Sequence, residues 1–170
     1  YDDAMATKAT LSEEEYLRTS YSGVDREFRD GELMERSVPN FAHGRLAARL
    51  AAFFEFHRVA RSVHSAVETR ILLRPGRYVI PDVCVFWPEE PVSEIPECLP
   101  LLVVEVLSPD DRMSDVIAKL REYHDAGVPH VWLADPRLRC LYLYRNGLHE
   151  VTSIHIPEVD LDLRLADLFA

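Results

Sequence analysis

Residues 101–135 constrain the fold more than any other part of the chain. The stretch LLVVEVLS, residues 101–108, places five apolar residues in its first six positions and predicts a strand buried on both faces. Pro109-Asp110 follows, and then a helical pattern from about Asp111 to Ala126, ended by Gly127 with Pro129 just beyond. HVWLAD, residues 130–135, is a second apolar strand. A helix of that length predicts a right-handed crossover, which sets the two strands parallel. Glu105 does not belong in this picture. An ionised carboxylate inside a buried strand costs several kcal/mol unless something compensates it.

The other elements are read around this unit. LSEEEYLRTS (11–20) predicts a short helix in which Ser12 and Glu15 form a capping box. Asp30-Gly31, within REFRDGELMER (26–36), predicts a β-hairpin. FAHGRLAARLAAFFEFHRVA (41–60) predicts one long amphipathic helix, its apolar residues being Leu46, Leu50, Phe53, Phe54 and Val59. VHSAVETRILL (63–73) and YVIPDVCVFW (78–87) predict two strands about Pro75-Gly76, and Pro81 argues for an edge, a bulge or a bend. These two and 101–108 form an antiparallel meander. The loop 88–100 separates the second and third strands, Asn146-Gly147 marks a turn after a strand near 140, and the tail adds a short strand and a helical turn. The sum is an α/β (α+β) fold, a mixed sheet in αβββαβ order flanked by helices and preceded by a hairpin. The 170 residues fit one domain over 11–170, with 1–10 expected to be a disordered terminus or a vector-derived scar.

Composition narrows the function classes. A net charge of −10 weighs against tight sequence-independent DNA binding, and it fits a protein that gathers carboxylates around a divalent cation. No apolar run approaches the ~18 residues of a membrane span, and no basic-then-apolar leader opens the chain, so a cytoplasmic protein is expected. Cys84, Cys98 and Cys140 form no CxxC pair and read as free thiols. Only two lysines, Lys8 and Lys119, stand against seventeen arginines. Lysine is a compact point charge whose pKa can move, so Lys119 is a candidate for lysine-specific chemistry. The plainer reading is a surface pair with Asp115, four residues earlier.

Asp82 follows Pro81 in an apolar strand next to the one that carries Glu105. If the strands pair, both acids can lie on one face. Two such carboxylates repel, so one takes a proton or a cation sits between them. A hard divalent ion with oxygen ligands meets that need. On the helix from Asp111, Met113, Ile117, Leu120 and His124 form the expected buried face, with Lys119 on its flank between Asp115 and Tyr123. The remaining histidines show no metal-ligand spacing, and no GxSxG, Walker loop or GxGxxG is present.

Together these residues resemble the PD-(D/E)XK nuclease superfamily, and most closely its bacterial Uma-type branch of restriction endonucleases. The resemblance runs from EFRDGELME (27–35) through His43, the PD of 81–82, LLVVEVLSP (101–109), D-x3-K-x3-Y (115, 119, 123) and GVPHVWLADP (127–136). It implies a restriction-endonuclease-like core in which Asp82 and Glu105 bind Mg²⁺ (or Mn²⁺) and a lysine assists hydrolysis. The superfamily's lysine stands two residues after the glutamate, where this chain has Leu107. The branch resembles variants whose lysine has moved to the next helix, which gives the role to Lys119. Glu27, Glu32 and His43 also match the branch and receive no assigned role; for Glu27 and Glu32 the readings are an added carboxylate near the metal and, more plainly, hairpin surface charge.

The expectation is therefore a Mg²⁺- or Mn²⁺-dependent endonuclease that hydrolyses DNA, with Asp82, Glu105 and Lys119 as the site. The alternatives are a catalytically inactive interaction module on the same fold, and a hydrolase of another phosphoester. DNA is the expected partner, and a homodimer is an expected state because nucleases that cut both strands often pair.

Overall fold

The computed structural model describes residues 10–23 and 25–169, so the expected terminal segment 1–10, apart from Thr10, lies outside the described residues. Helix α1 (Glu13–Arg18) starts with the expected capping box: Glu15 N–H donates to Ser12 Oγ at 3.2 Å, and Ser12 N–H donates to the Glu15 carboxylate at 2.9 Å. Asp30 (φ +47) and Gly31 (φ +93) turn β1 (Glu27–Arg29) into β2 (Glu32–Met34). Positive φ at both turn positions is what a tight hairpin asks for.

Helix α2 (Phe41–Arg61) begins at Asn40, whose side chain accepts the His43 N–H. It covers the expected range, but Leu46, Leu50 and Phe54 are buried while Val59 stands 84% exposed. Its apolar residues occupy both sides, which the expected one-faced pattern did not anticipate.

The two long strands expected at 63–73 and 78–87 each break in the middle. The first becomes β3 (His64–Val67) and β4 (Ile71–Arg74), and the second β5 (Arg77–Val79) and β6 (Val83–Phe86). The breaks face each other: Glu68 turns at φ +46, Pro81 has no N–H to give a ladder, and Glu68 N–H donates to the Asp82 carbonyl at 3.2 Å. The paired chains thus leave one sheet and enter another together. The β4–β5 hairpin joins β1 and β2 in a four-stranded antiparallel sheet, ordered β2-β1-β5-β4.

The larger sheet uses β7 (Leu102–Val106), α3 (Met113–Ala126), β8 (His130–Asp135), β9 (Cys140–Tyr144) and β10 (Leu148–Val151). Its order is β10-β9-β8-β7-β6-β3, with β7 and β8 parallel through α3 and the other pairs antiparallel. The crossover and the β3-β6-β7 meander are as expected. After β10, β11 (Ser153–Ile156) pairs with β12 (Leu161–Arg164), followed by α4 (Leu165–Phe169). Strand β11 was not anticipated.

Strand β7 lies between two layers of core. Leu102, Val104 and Val106 pack with Leu46, Leu50 and Phe54 of α2, and Val103 packs with Leu120 and Tyr123 of α3. By alternation Glu105 shares the α3 side with Val103. The buried face of α3 is turned from the expected one: Leu120 and Tyr123 are fully buried, while Met113 is 42% exposed. That rotation carries Lys119 toward the sheet. Among the described residues no helix is long and apolar enough to cross a membrane.

Candidate active site

The site forms where the two sheets part. Asp82 lies in the bend before β6, one step beyond the Val83–Val104 pair and therefore level with Glu105 on β7. The bend gives Asp82 three donors. Its Oδ2 accepts Val106 N–H at 2.6 Å and His43 Nε2 at 3.1 Å, and its Oδ1 accepts Arg36 Nη2 at 3.1 Å. Burial opposes its charge, but His43, Lys119 and the Val106 amide outweigh it and hold the carboxyl below its ordinary range.

Glu105 is held from α3. Lys119 Nζ donates to its Oε2 at 3.0 Å and the Tyr123 hydroxyl to its Oε1 at 2.7 Å. The expected surface pair of Lys119 with Asp115 does not form. Lys119 instead bridges Glu105 and Glu27 Oε1, the latter at 2.6 Å, and approaches the Ile80 carbonyl at 3.4 Å. Burial works against its charge, and the carboxylates of Glu105, Glu27 and Asp82 overcome it, so its pKa is raised and the ammonium persists. Glu105 goes the other way. Burial, with the nearby charges of Asp82 and Glu27, pushes it up to about 7 despite Lys119 and Tyr123.

Glu27, read as hairpin surface charge, is in fact 4% exposed. Its second oxygen accepts Arg77 Nη2 at 2.8 Å, and Oε1 also accepts Ile80 N–H at 3.0 Å. Burial resists its ionisation, but Lys119 and Arg77 bring it down to about 2. Arg77 passes the chain of charge to Glu122 on α3 at 2.7 Å, and Glu122 also pairs with Arg29. Sequence reasoning noticed Glu27 but preferred surface charge for it, and it missed the roles of Arg77 and of Tyr123 as an anchor. These contacts join β1, β5, β7 and α3, and no local pattern announces them. Glu32, the other hairpin acid noted, is exposed.

A pocket of about 350 Å³ opens over this group. Asp82, Glu105 and Lys119 line it, with Arg29, Arg36 and Arg112 among its cations. Ser37 Oγ, bonded to Asp111 at 2.5 Å, ties the segment after β2 to the loop before α3 beside it.

A family model described as "Uma2: Putative restriction endonuclease" matches residues 13–168. The chain belongs to the Uma2 family. A solved structure with the same fold is a crystal structure of "a putative nuclease belonging to DUF820" from Anabaena variabilis ATCC 29413. It superposes with a TM-score of 0.78 at 22% identity, over 92% of this chain and 96% of that one. The restriction-endonuclease-like architecture expected from the sequence is thus the architecture of this Uma2 chain. No curated protein matches it.

The donor set of this Uma2 site suits a hard divalent cation. Asp82 and Glu105 offer only carboxylate oxygens, and Asp82 Oδ1 and both Glu105 oxygens each carry one hydrogen bond, leaving a lone pair apiece. Among the described residues no three or more His, Cys, Asp or Glu side chains converge on one point. Mg²⁺ needs less, one or two carboxylates with water completing its shell. The raised pKa of Glu105 comes first from burial and then from the charges of Asp82 and Glu27, and a cation bound to it would offset both.

The same shift makes a prediction for the metal-free protein. With its pKa raised from 4.5 to about 7, Glu105 stabilises the fold through its protonated form. That contribution is complete below pH 4.5 and is lost as the pH rises through about 7. Denaturant titrations in EDTA should show stability falling between pH 5 and 8, on the order of 3 kcal/mol for this group. Glu105→Gln, which cannot ionise, should lose most of that slope and exceed the parent at pH 8. A variant with the parent's slope would remove Glu105 as the cause.

Proposed function

We propose that this Uma2 chain is a divalent-metal-dependent endonuclease that hydrolyses DNA phosphodiester bonds, with Asp82 and Glu105 as metal ligands and Lys119 as the catalytic cation. The observation that carries the reading is the placement of Lys119, whose ammonium is fixed between Glu27 and Glu105 in a pocket shared with Asp82. A Mg²⁺ or Mn²⁺ ion on the two carboxylates would lower the pKa of a coordinated water and offset charge on the scissile phosphate.

The chain's own groups do the rest. Lys119 stays protonated, so it serves as a fixed positive charge beside the developing phosphorane oxygens rather than as a base. Glu27 and Glu105 hold that ammonium in one place, so no reorganisation is needed at the moment of reaction. Tyr123 and the Val106 amide fix the two carboxylates in turn. Glu105 gives up its proton near neutral pH when a cation is taken up, so metal affinity should rise with pH. Arg36 and Arg112 line the same pocket and would supply positive charge to the flanking phosphates of a bound strand.

The test is nicking of supercoiled plasmid by the purified protein. Nicking is expected with Mg²⁺ or Mn²⁺ and is expected to stop in EDTA. One observation favours a second reading: every oxygen of both acids already accepts a protein donor, which a cation would have to share. If calorimetry at millimolar Mn²⁺ gives no binding and no phosphoester is cleaved, the fold serves as a non-hydrolytic interaction module.

A further inference from the structure

The two oxygens of Asp82 are held in unlike ways. Oδ2 accepts two donors that regular elements fix, the Val106 amide of β7 at 2.6 Å and His43 Nε2 of α2 at 3.1 Å. Both of its lone pairs are then engaged. Among the described residues, Oδ1 accepts one donor, Arg36 Nη2 at 3.1 Å. A cation that binds Asp82 must therefore use Oδ1, beside a guanidinium that is already there.

Arg36 is attached differently from the other cations of the site. Arg77 spends Nε, Nη1 and Nη2 on Glu122, two backbone carbonyls and Glu27. Lys119 bridges two carboxylates. Arg36 makes one hydrogen bond among the described residues, that to Asp82, and it lines the pocket. It lies in residues 35–40, which form no helix or strand. The segment is pinned one residue later: Ser37 Oγ bonds Asp111 at 2.5 Å, and the other Asp111 oxygen accepts Ser108 N–H at 2.7 Å. The backbone is thus tied to the loop after β7, while the side chain is held at its tip alone. A guanidinium with unused donors in a planar fork suits a phosphate.

We propose that Arg36 is an exchangeable counter-ion that couples cation uptake to substrate binding. Without substrate, its guanidinium sits on Asp82 Oδ1 and repels a divalent cation at short range. When a DNA phosphate enters the pocket, Arg36 turns to it and Oδ1 opens to the cation. Coupling is reciprocal, so the cation in turn frees Arg36 to hold the DNA. Asp82 keeps a positive partner throughout, which its burial at 4% exposure demands. The inference rests on the reading of Asp82 as a metal ligand and adds to it the regulation of that ligand.

Calorimetric titration with Mn²⁺ alone tests the exchange without reference to cleavage. Arg36→Gln keeps a donor for Oδ1 and removes the charge, and Arg36→Met removes both. Each should bind Mn²⁺ about tenfold more tightly than the parent. Fluorescence anisotropy of a labelled DNA duplex in EDTA gives the second readout. Both variants should bind the duplex more weakly, with a salt slope shallower by about 1. Structural damage would not move the two affinities in opposite directions. Asp82→Asn, which weakens the hold on Arg36, should bind the duplex more tightly than the parent in EDTA. Mn²⁺ binding by the parent that neither folded Arg36 variant improves leaves the metal site standing and overturns the exchange. Unchanged duplex binding in all three variants overturns it as well. No Mn²⁺ binding by the parent or either Arg36 variant removes the metal reading and the exchange together.

Discussion

Lys119→Met should lower both stability and activity sharply. Methionine keeps the length of the side chain and removes the ammonium that bridges Glu27 at 2.6 Å and Glu105 at 3.0 Å. Breaking a buried ion pair by removing one partner costs about 3–5 kcal/mol, because the other charge is left without compensation. For a chain of this size that corresponds to roughly 10 °C in Tm. Glu27 keeps Arg77, and Glu105 can take a proton, so the loss should be smaller at pH 5 than at pH 8. Nicking should fall about 100-fold or more, the usual effect of removing a preorganised charge that faces developing charge. Lys119→Arg separates the two roles: the guanidinium keeps the charge and much of the stability, but its fork cannot occupy the point position between two carboxylates. A methionine variant within 0.5 kcal/mol of the parent would show that the bridge adds no net stability, roughly the scatter of surface substitutions. Parental nicking by that variant would remove Lys119 from the chemistry.

Asp82→Asn has the opposite profile, with most of the stability kept and the activity lost. Asparagine is nearly isosteric, and its carbonyl can still accept the Val106 N–H or the Arg36 guanidinium. Its amide group then faces one of the remaining donors, a mismatch of about 1–3 kcal/mol. The charge needed to hold a cation is gone. We expect metal-dependent nicking to drop about 100-fold or more and the calorimetric signal for Mn²⁺ to disappear, with the circular dichroism spectrum unchanged. Undiminished nicking by a folded Asn variant would show that the hydrolysis has another centre.

The two experiments probe residues of unequal visibility in the sequence. Glu105 stands out locally, as one carboxylate in an apolar run, and Asp82 stands out beside a proline in another. Lys119 stands out only by rarity, and helical periodicity placed it on the flank of α3, able to reach along the sheet. Its full turn inward has a physical cause. Periodicity scores lysine and tyrosine as solvent-facing, but here Lys119 and Tyr123 turn inward because Glu105 and Glu27 wait for them there. Glu27 gave no local sign of burial, since its partners Arg77 and Lys119 lie on other elements. The breaks at Glu68 and Pro81 were half visible. Proline marked one, while the left-handed residue opposite it carries no signature.

What the sequence determines by itself is the set of interactions that act within a few residues or through one period. The capping box at Ser12, the Asp30-Gly31 turn, the crossover from β7 through α3 to β8 and the two-sided burial of β7 all follow from that. The tertiary structure alone decides which charges meet. Glu27, Asp82, Glu105 and Lys119 come from four separate segments, and their pKa values are set by distances of about 3 Å between side chains that share no local pattern. Electrostatics in a buried site depends on position in space, and the linear order of residues does not encode that position until the sheets have formed.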